Sequence, residues 1–187
     1  MSKYFNVFLL FLLVFNLSAC GKYGPPLPPE AFSPRAIEDL QVSSKVSGVK
    51  FSWRSPSLDL QGEELEDLDG YFIFRRVAKN SAALVMDEEE FDEIARLEDV
   101  SVSEREERRE VAREEGLPTR KISSKPELEY FEYLDEGLTP GVTYIYKIVP
   151  FNQGEVEGQV TQLIEIFFRG SSSEIRFVDE SSFDTVL

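Results

Sequence analysis

Two kinds of hydrophobic pattern run along the chain. Near the start, Phe5 to Phe15 is almost continuously apolar and is broken only by Asn6. Beyond a proline-rich stretch, short apolar–polar alternations are separated by turns. Ile37, Leu40 and Val42 mark a first segment that ends at Ser43. Val49, Phe51 and Trp53 alternate with Lys50, Ser52 and Arg54, the period of a half-buried strand, and Pro56 stops it. Gly70 opens Tyr71-Phe72-Ile73-Phe74. Phe91, Ile94 and Leu97 fit either a strand or one helical turn, and Tyr130 to Leu134 is a further aromatic segment. Thr143 to Phe151 is the clearest strand, with Tyr144, Tyr146 and Ile148 on one face. Val160 to Phe168 is rich in β-formers. Short strands at turn-punctuated spacing predict an all-β sandwich or barrel.

One interval breaks this rhythm. Between Leu97 and Glu127, Ser103 to Glu106 reads as a capping box, and Glu104 to Glu115 alternates charges as a helix does. Glu104 and Arg108 form a favourable i,i+4 pair, whereas Arg105 and Arg109 are like-charged neighbours. Gly116 fits the position just past the helix and Pro118 follows it. Only Val111, Ala112 and Leu117 offer apolar contact, so the pattern predicts a mostly solvated helix inserted in a loop, with partner binding as the sharper alternative. The tail from residue 171 carries Ile175 and Phe177 among polar residues and reads as disordered or as a late strand covering the sheet. Its final Thr185-Val186-Leu187 is too short to assign a carboxylate-capturing partner.

The apolar start is too short for a membrane span, which needs about 20 residues. Lys3 precedes it, and the small residues Ser18 and Ala19 follow it. That is the layout of a secretory signal peptide over residues 1–19. Cys20 comes next and is the single cysteine of the chain, so it has no partner for an internal disulfide. Leu17-Ser18-Ala19-Cys20 resembles the lipobox of bacterial lipoproteins. The resemblance implies cleavage before Cys20 and a lipid on its sulfur and new N-terminus, with each buried CH₂ contributing about 0.8 kcal/mol to anchoring. Residues 20–35 then form a proline-rich tether, on the order of 40 Å when extended. Cys20-Gly21 and Gly24-Pro25 are weakly similar to the opening of very short lipoproteins that assist the lipopolysaccharide translocon. Here Tyr23 stands where that family has lysine. Gly21 is not the aspartate that, in enteric-type lipoproteins, signals inner-membrane retention. The resemblance therefore implies an outer-membrane, periplasm-facing location.

Charge and composition narrow the chemistry. The formal net charge is −15, with 35 acidic against 20 basic residues, which argues against nucleic acid and against an electrostatic grip on anionic lipid. There is no histidine, so imidazole-based triads and zinc sites are excluded. Glu66 to Gly70 and Asp87 to Glu93 are acidic, but neither has the spacing of an EF-hand loop. A glycosidase-like carboxylate pair would need a cleft that nothing here implies. No catalytic residue, metal or cofactor is assigned.

Leu138-Thr139-Pro140-Gly141-Val142-Thr143-Tyr144 resembles the turn entering strand F of a fibronectin type III domain. Trp53 matches that family's strand-B tryptophan, and Gly70-Tyr71 with Ile73 matches strand C. The resemblance implies a fibronectin type III-like antiparallel β-sandwich over residues 36–170, with an insertion at about 98–127 and a tail over 171–187. It makes Tyr144 a tyrosine corner whose hydroxyl bonds backbone upstream. If Tyr71, Ile73, Tyr144, Tyr146 and Ile148 point inward, alternation sends Phe72, Phe74, Ile145, Val149 and Phe151 to the outer face. Strands C and F are neighbours, so these five form one apolar patch, either a partner site or a surface covered by the insertion or the tail. The expected function is a non-catalytic protein-interaction or scaffold module of the cell envelope. The alternatives are an accessory role in outer-membrane or lipopolysaccharide-transport assembly and a carbohydrate-associated module.

Overall fold

The computed structural model describes residues 28–78, 91–123, 125, 128–160 and 162–179. The leader, Cys20 and most of the proline-rich tether lie outside the described residues, as do Asp87 to Glu90 and Thr185 to Leu187. Eight strands are described: β1 Glu38–Ser44, β2 Gly48–Arg54, β3 Leu68–Val77, β4 Asp92–Glu98, β5 Tyr130–Glu136, β6 Thr143–Asn152, β7 Gln162–Phe167 and β8 Glu174–Asp179. They form two antiparallel sheets, β1-β2-β5 and β4-β3-β6-β7-β8. The fold is a fibronectin type III-like sandwich with one inserted helix, α1, at Ser101–Glu114.

Alternation does what the sequence asks of it. Val49, Phe51 and Trp53 of β2 face Tyr71 and Ile73 of β3, Tyr146 and Ile148 of β6, and Ile164 and Ile166 of β7 across one core. Trp53 meets Tyr71 edge to face at 5.4 Å, and Phe51 lies 4.9 Å from Tyr146; such pairs add to the burial term. Thr139 to Val142 is a turn closed by the Val142 N–H on the Thr139 carbonyl at 3.3 Å. Gly141 supplies its positive φ of 85°. The Thr139 N–H donates to the Tyr144 hydroxyl at 3.0 Å, so the tyrosine corner is present. Gly70 is required for close approach. A Cβ there would lie 2.1 Å from the Leu97 carbonyl oxygen and 3.0 Å from the Phe151 ring.

Three local expectations need amending. Phe91 to Leu97 resolves as strand rather than helical turn, because Asp92–Glu98 pairs along β3. The tail does not lie over the sheet. Its residues Glu174–Asp179 pair with β7 and extend the sheet sideways, with Ile175 opposite Ile166 and Phe177 opposite Ile164. The capping box is not formed. The helix begins two residues before Ser103, and the Asp99 carboxylate accepts the Ser101 N–H at 2.8 Å. Ser103 is already helical, its hydroxyl donating back to the Val100 carbonyl at 3.1 Å. The other end follows expectation. Gly116 has φ 70°, and the Leu117 N–H closes on the Ala112 carbonyl at 2.8 Å, a Schellman end.

Candidate interaction surfaces

The N-terminal segment is seated mainly on the loop between β2 and β3, with one further bond from the Gln159 N–H to the Pro34 carbonyl at 2.9 Å. Pro29–Phe32 is a short 3₁₀ turn; the Leu60 N–H then donates to the Ser33 carbonyl and the Arg35 N–H to the Leu58 carbonyl. The loop between β2 and β3 is therefore the main seat of the N-terminal segment. The inserted helix stands on the same loop. Arg105 is buried and donates to the Leu65 carbonyl at 2.6 Å, with Glu64 at 3.3 Å from its guanidinium. The Arg109 Nη2 alone reaches both Glu64 oxygens, at 2.8 and 3.0 Å, while its Nη1 donates to Glu106 and its Nε to the Ile122 carbonyl. Hydrogen bonds between charged groups are stronger than neutral ones. The like-charged Arg105–Arg109 neighbours are thus bridged by one carboxylate from another loop. Val102 completes the attachment by entering the main core. The helix is mostly solvated, as expected, but its apolar contact comes from Val102 and Ala112, with Arg105 also buried, while Val111 and Leu117 are exposed.

The five residues assigned to the outer face do share it, and none of them joins the inward core with Tyr71 and Ile148. Phe72, Ile145, Val149 and Phe151 are buried, while Phe74 is half-buried. Phe72 and Phe151 stack with centroids 4.1 Å apart. Arg96 lies over both rings, 5.2 Å from Phe72 and 4.5 Å from Phe151, held there by Glu155 at 2.7 Å. Lys147 sits 4.7 Å above Phe74 and 5.1 Å from Phe91. Cations on aromatic faces keep their charge toward water while their stems screen the rings. Neither the inserted helix nor β8 provides this cover, since one stands on the β2–β3 loop and the other extends the edge.

Two buried carboxylates carry the polar chemistry of the interior. Asp99 accepts the Ser55 hydroxyl at 3.0 Å, the Tyr71 hydroxyl at 2.7 Å and the Ser101 N–H. Asp135 of β5 receives Arg75 of β3 at 2.9 and 3.0 Å and the Tyr146 hydroxyl of β6 at 2.7 Å, which ties the two sheets together. Burial first, then the adjoining carboxylate, pushes both tyrosine hydroxyls far above the ordinary tyrosine range. In both clusters every carboxylate oxygen has a hydrogen-bond partner, which suits clamps. A cavity of about 230 Å³ beside Ser55, Ser101 and Arg105 separates the loop from the helix. Among the described residues, no cluster of three or more acidic, histidine or cysteine side chains is placed to hold a metal ion, and no helix is long and apolar enough to cross a membrane.

Asp99, Val102 and Glu64 were not singled out by sequence reasoning, and Arg105 was noted only as a like-charged neighbour of Arg109. Asp99 two residues before a helical run was a readable signal. The Arg105–Leu65 and Arg109–Glu64 contacts join positions 40 and 45 residues apart and leave no local pattern.

No family model matches the chain, and no curated protein matches it. Solved structures similar to it include the twitchin kinase region from C. elegans, with 17% identity over 70% of this chain, 15% of that chain and a TM-score of 0.38. The FN1-FN3 domains of chicken CNTN1 give 15% identity over 73% of this chain and 31% of that chain, with a TM-score of 0.37. The third fibronectin III domain of human KIAA0343 protein gives 14% identity over 86% of this chain and 94% of that chain, also at 0.37.

Proposed function

We propose that this protein is an outer-membrane lipoprotein that presents a non-catalytic interaction domain in the cell envelope. The anchor reading is supported by Leu17-Ser18-Ala19-Cys20 at the end of the apolar leader, with Cys20 the chain's single thiol. The observation that carries the interaction reading is the inserted helix. Fourteen residues of low apolar content are held against the sandwich by Val102 and by the Arg105 and Arg109 pairs. A charged segment fixed this firmly on a domain, next to the segment that leads to the anchor, fits a presented surface. The absence of histidine from the sequence and the fully engaged Asp99 and Asp135 favour a binding role over a catalytic one.

The test has two arms. Cells expressing the protein are labelled with palmitate and fractionated. The expected result is label and outer-membrane recovery for the natural sequence, and loss of both for Cys20→Ser. Label on the serine variant would overturn the anchor. In the second arm, photo-crosslinkers at exposed α1 positions are expected to trap an envelope protein. Crosslinks no more frequent there than at Val46, the exposed turn between β1 and β2, would overturn the interaction reading.

A further inference from the structure

We infer that the C-terminal half of α1 docks a basic amphipathic segment of a partner protein; this rests on the interaction reading above and names its surface. An open groove of about 410 Å³ runs between the helix and the segment that follows it, lined by Glu107, Arg108, Val111, Ala112, Glu115 and Ile122. Val111, Ala112 and Ile122 give it apolar lining, and Glu107, Glu115 and Arg108 its charged lining. Val111 is 49% exposed, and Leu117, just past the helix end, is 54% exposed. The helix is already seated by Val102 and Arg105, so these two apolar side chains are not needed to hold it.

Charge identifies the occupant. Three of the four basic residues of the helix are engaged, Arg108 at the groove itself, while Arg113 in the last turn is exposed. Arg105 and Arg109 bind the β2–β3 loop, and Arg108 donates to the Ser123 carbonyl at 3.2 Å and pairs with Glu104 at 3.7 Å. By contrast, no ion pair is described for Glu107, Glu110, Glu114 or Glu115. Glu110 and Glu114 are i,i+4 neighbours of like sign. Acids in the last turn also face the negative end of the helix dipole. The sequence thus keeps carboxylates where they oppose the helix, beside apolar side chains left open. A Leu- or Ile-type anchor flanked by Lys or Arg would fill the groove and neutralise both effects, in the manner of an amphipathic segment in a groove. An anionic membrane or nucleic acid meets like charge here. A second copy of the chain would bring the same acidic face.

The experiment uses the full mature lipoprotein in nanodiscs of neutral lipid. The probes are a labelled peptide alternating Leu and Lys at helical spacing and its Glu-for-Lys counterpart, read by fluorescence anisotropy. Binding of the Lys peptide alone is expected, weakened about tenfold or more by Glu107→Lys with Glu115→Lys and by Val111→Asp. Glu63→Lys with Glu66→Lys makes the same charge change in the β2–β3 loop and should alter the dissociation constant less than about twofold. Equal weakening by the loop pair would reduce the effect to bulk charge and overturn the inference. So would equal binding of the acidic peptide, or no binding. A concentration-dependent dimer abolished by Val111→Asp would overturn it in favour of self-association. If the in-cell crosslinks of α1 survive Val111→Asp while the peptide fails to bind, this groove is wrong and the broader interaction reading stands.

Discussion

Tyr144 closes a turn with one hydroxyl. The Thr139 N–H has that oxygen as its acceptor at 3.0 Å, and Tyr144 itself is buried against the core. Tyr144→Phe keeps the ring and removes the acceptor, so the expected loss is about 1 kcal/mol. A urea melt should show a lower midpoint with an unchanged slope; an unmoved midpoint would remove the corner's energetic role. This residue was readable because its whole context is local, from Leu138 through Gly141 to Tyr144. The same holds for Phe72 and Phe151, whose outward placement follows from strand period alone. Which side chains would close over them was not readable. Arg96 reaches the two rings from β4, and its Glu155 partner is 59 positions away. Asp99 was readable as a residue just before a helix, but not as a clamp, since its hydroxyl donors lie 44 and 28 positions off.

At the scale of elements, the strands were legible and the attachments between them were not. A period of two, with a nearby proline or glycine on at least one side, located β2, β3 and β6 within a residue or two. β4 was ambiguous because Phe91, Ile94 and Leu97 suit either period, and pairing with β3 decided it. β8 was ambiguous because its apolar residues are few. Pairing with β7 recruits them through Ile166 and Ile164. The helix shows the limit most clearly. Its end was readable in Gly116, but its start was misread, since Ser103-x-x-Glu106 satisfies the capping pattern while Asp99 takes the role. Its docking turns on Arg105. Arg105→Ala would leave the Leu65 carbonyl without its charged donor and Glu64 with fewer partners, at a cost of about 2 kcal/mol. That loss belongs mainly to the helix. Hydrogen exchange of α1 amides should accelerate while β2 and β6 amides keep most of their protection. Uniform acceleration across the sandwich would instead make the helix part of the same cooperative unit.

For the molecule as a whole, alkaline pH is the condition that tests the two clamps together. Tyr71 and Tyr146 are buried in the core and donate to Asp99 and Asp135. Their folded pKa values are raised above the ordinary 10.0, first by burial and then by those carboxylates. A raised pKa means that the unfolded chain gives up its proton first. The stabilisation is therefore complete below about pH 10 and is lost as pH climbs toward the folded values. Each tyrosine can contribute a fall of about 1 kcal/mol per pH unit in that window. The net charge of −15 grows more negative over the same range, a repulsion shared by all variants. Urea unfolding from about pH 7 to pH 11 separates these terms. The natural protein should hold its stability to about pH 9.5 and then lose it steeply. Tyr71→Phe and Tyr146→Phe should each start lower, because a clamp bond is missing, and each should fall less steeply, because one titrating group is gone. Curves for all three that run parallel through the alkaline range would mean that the two hydroxyls ionise as freely in the fold as out of it, and the clamps would lose their physical basis.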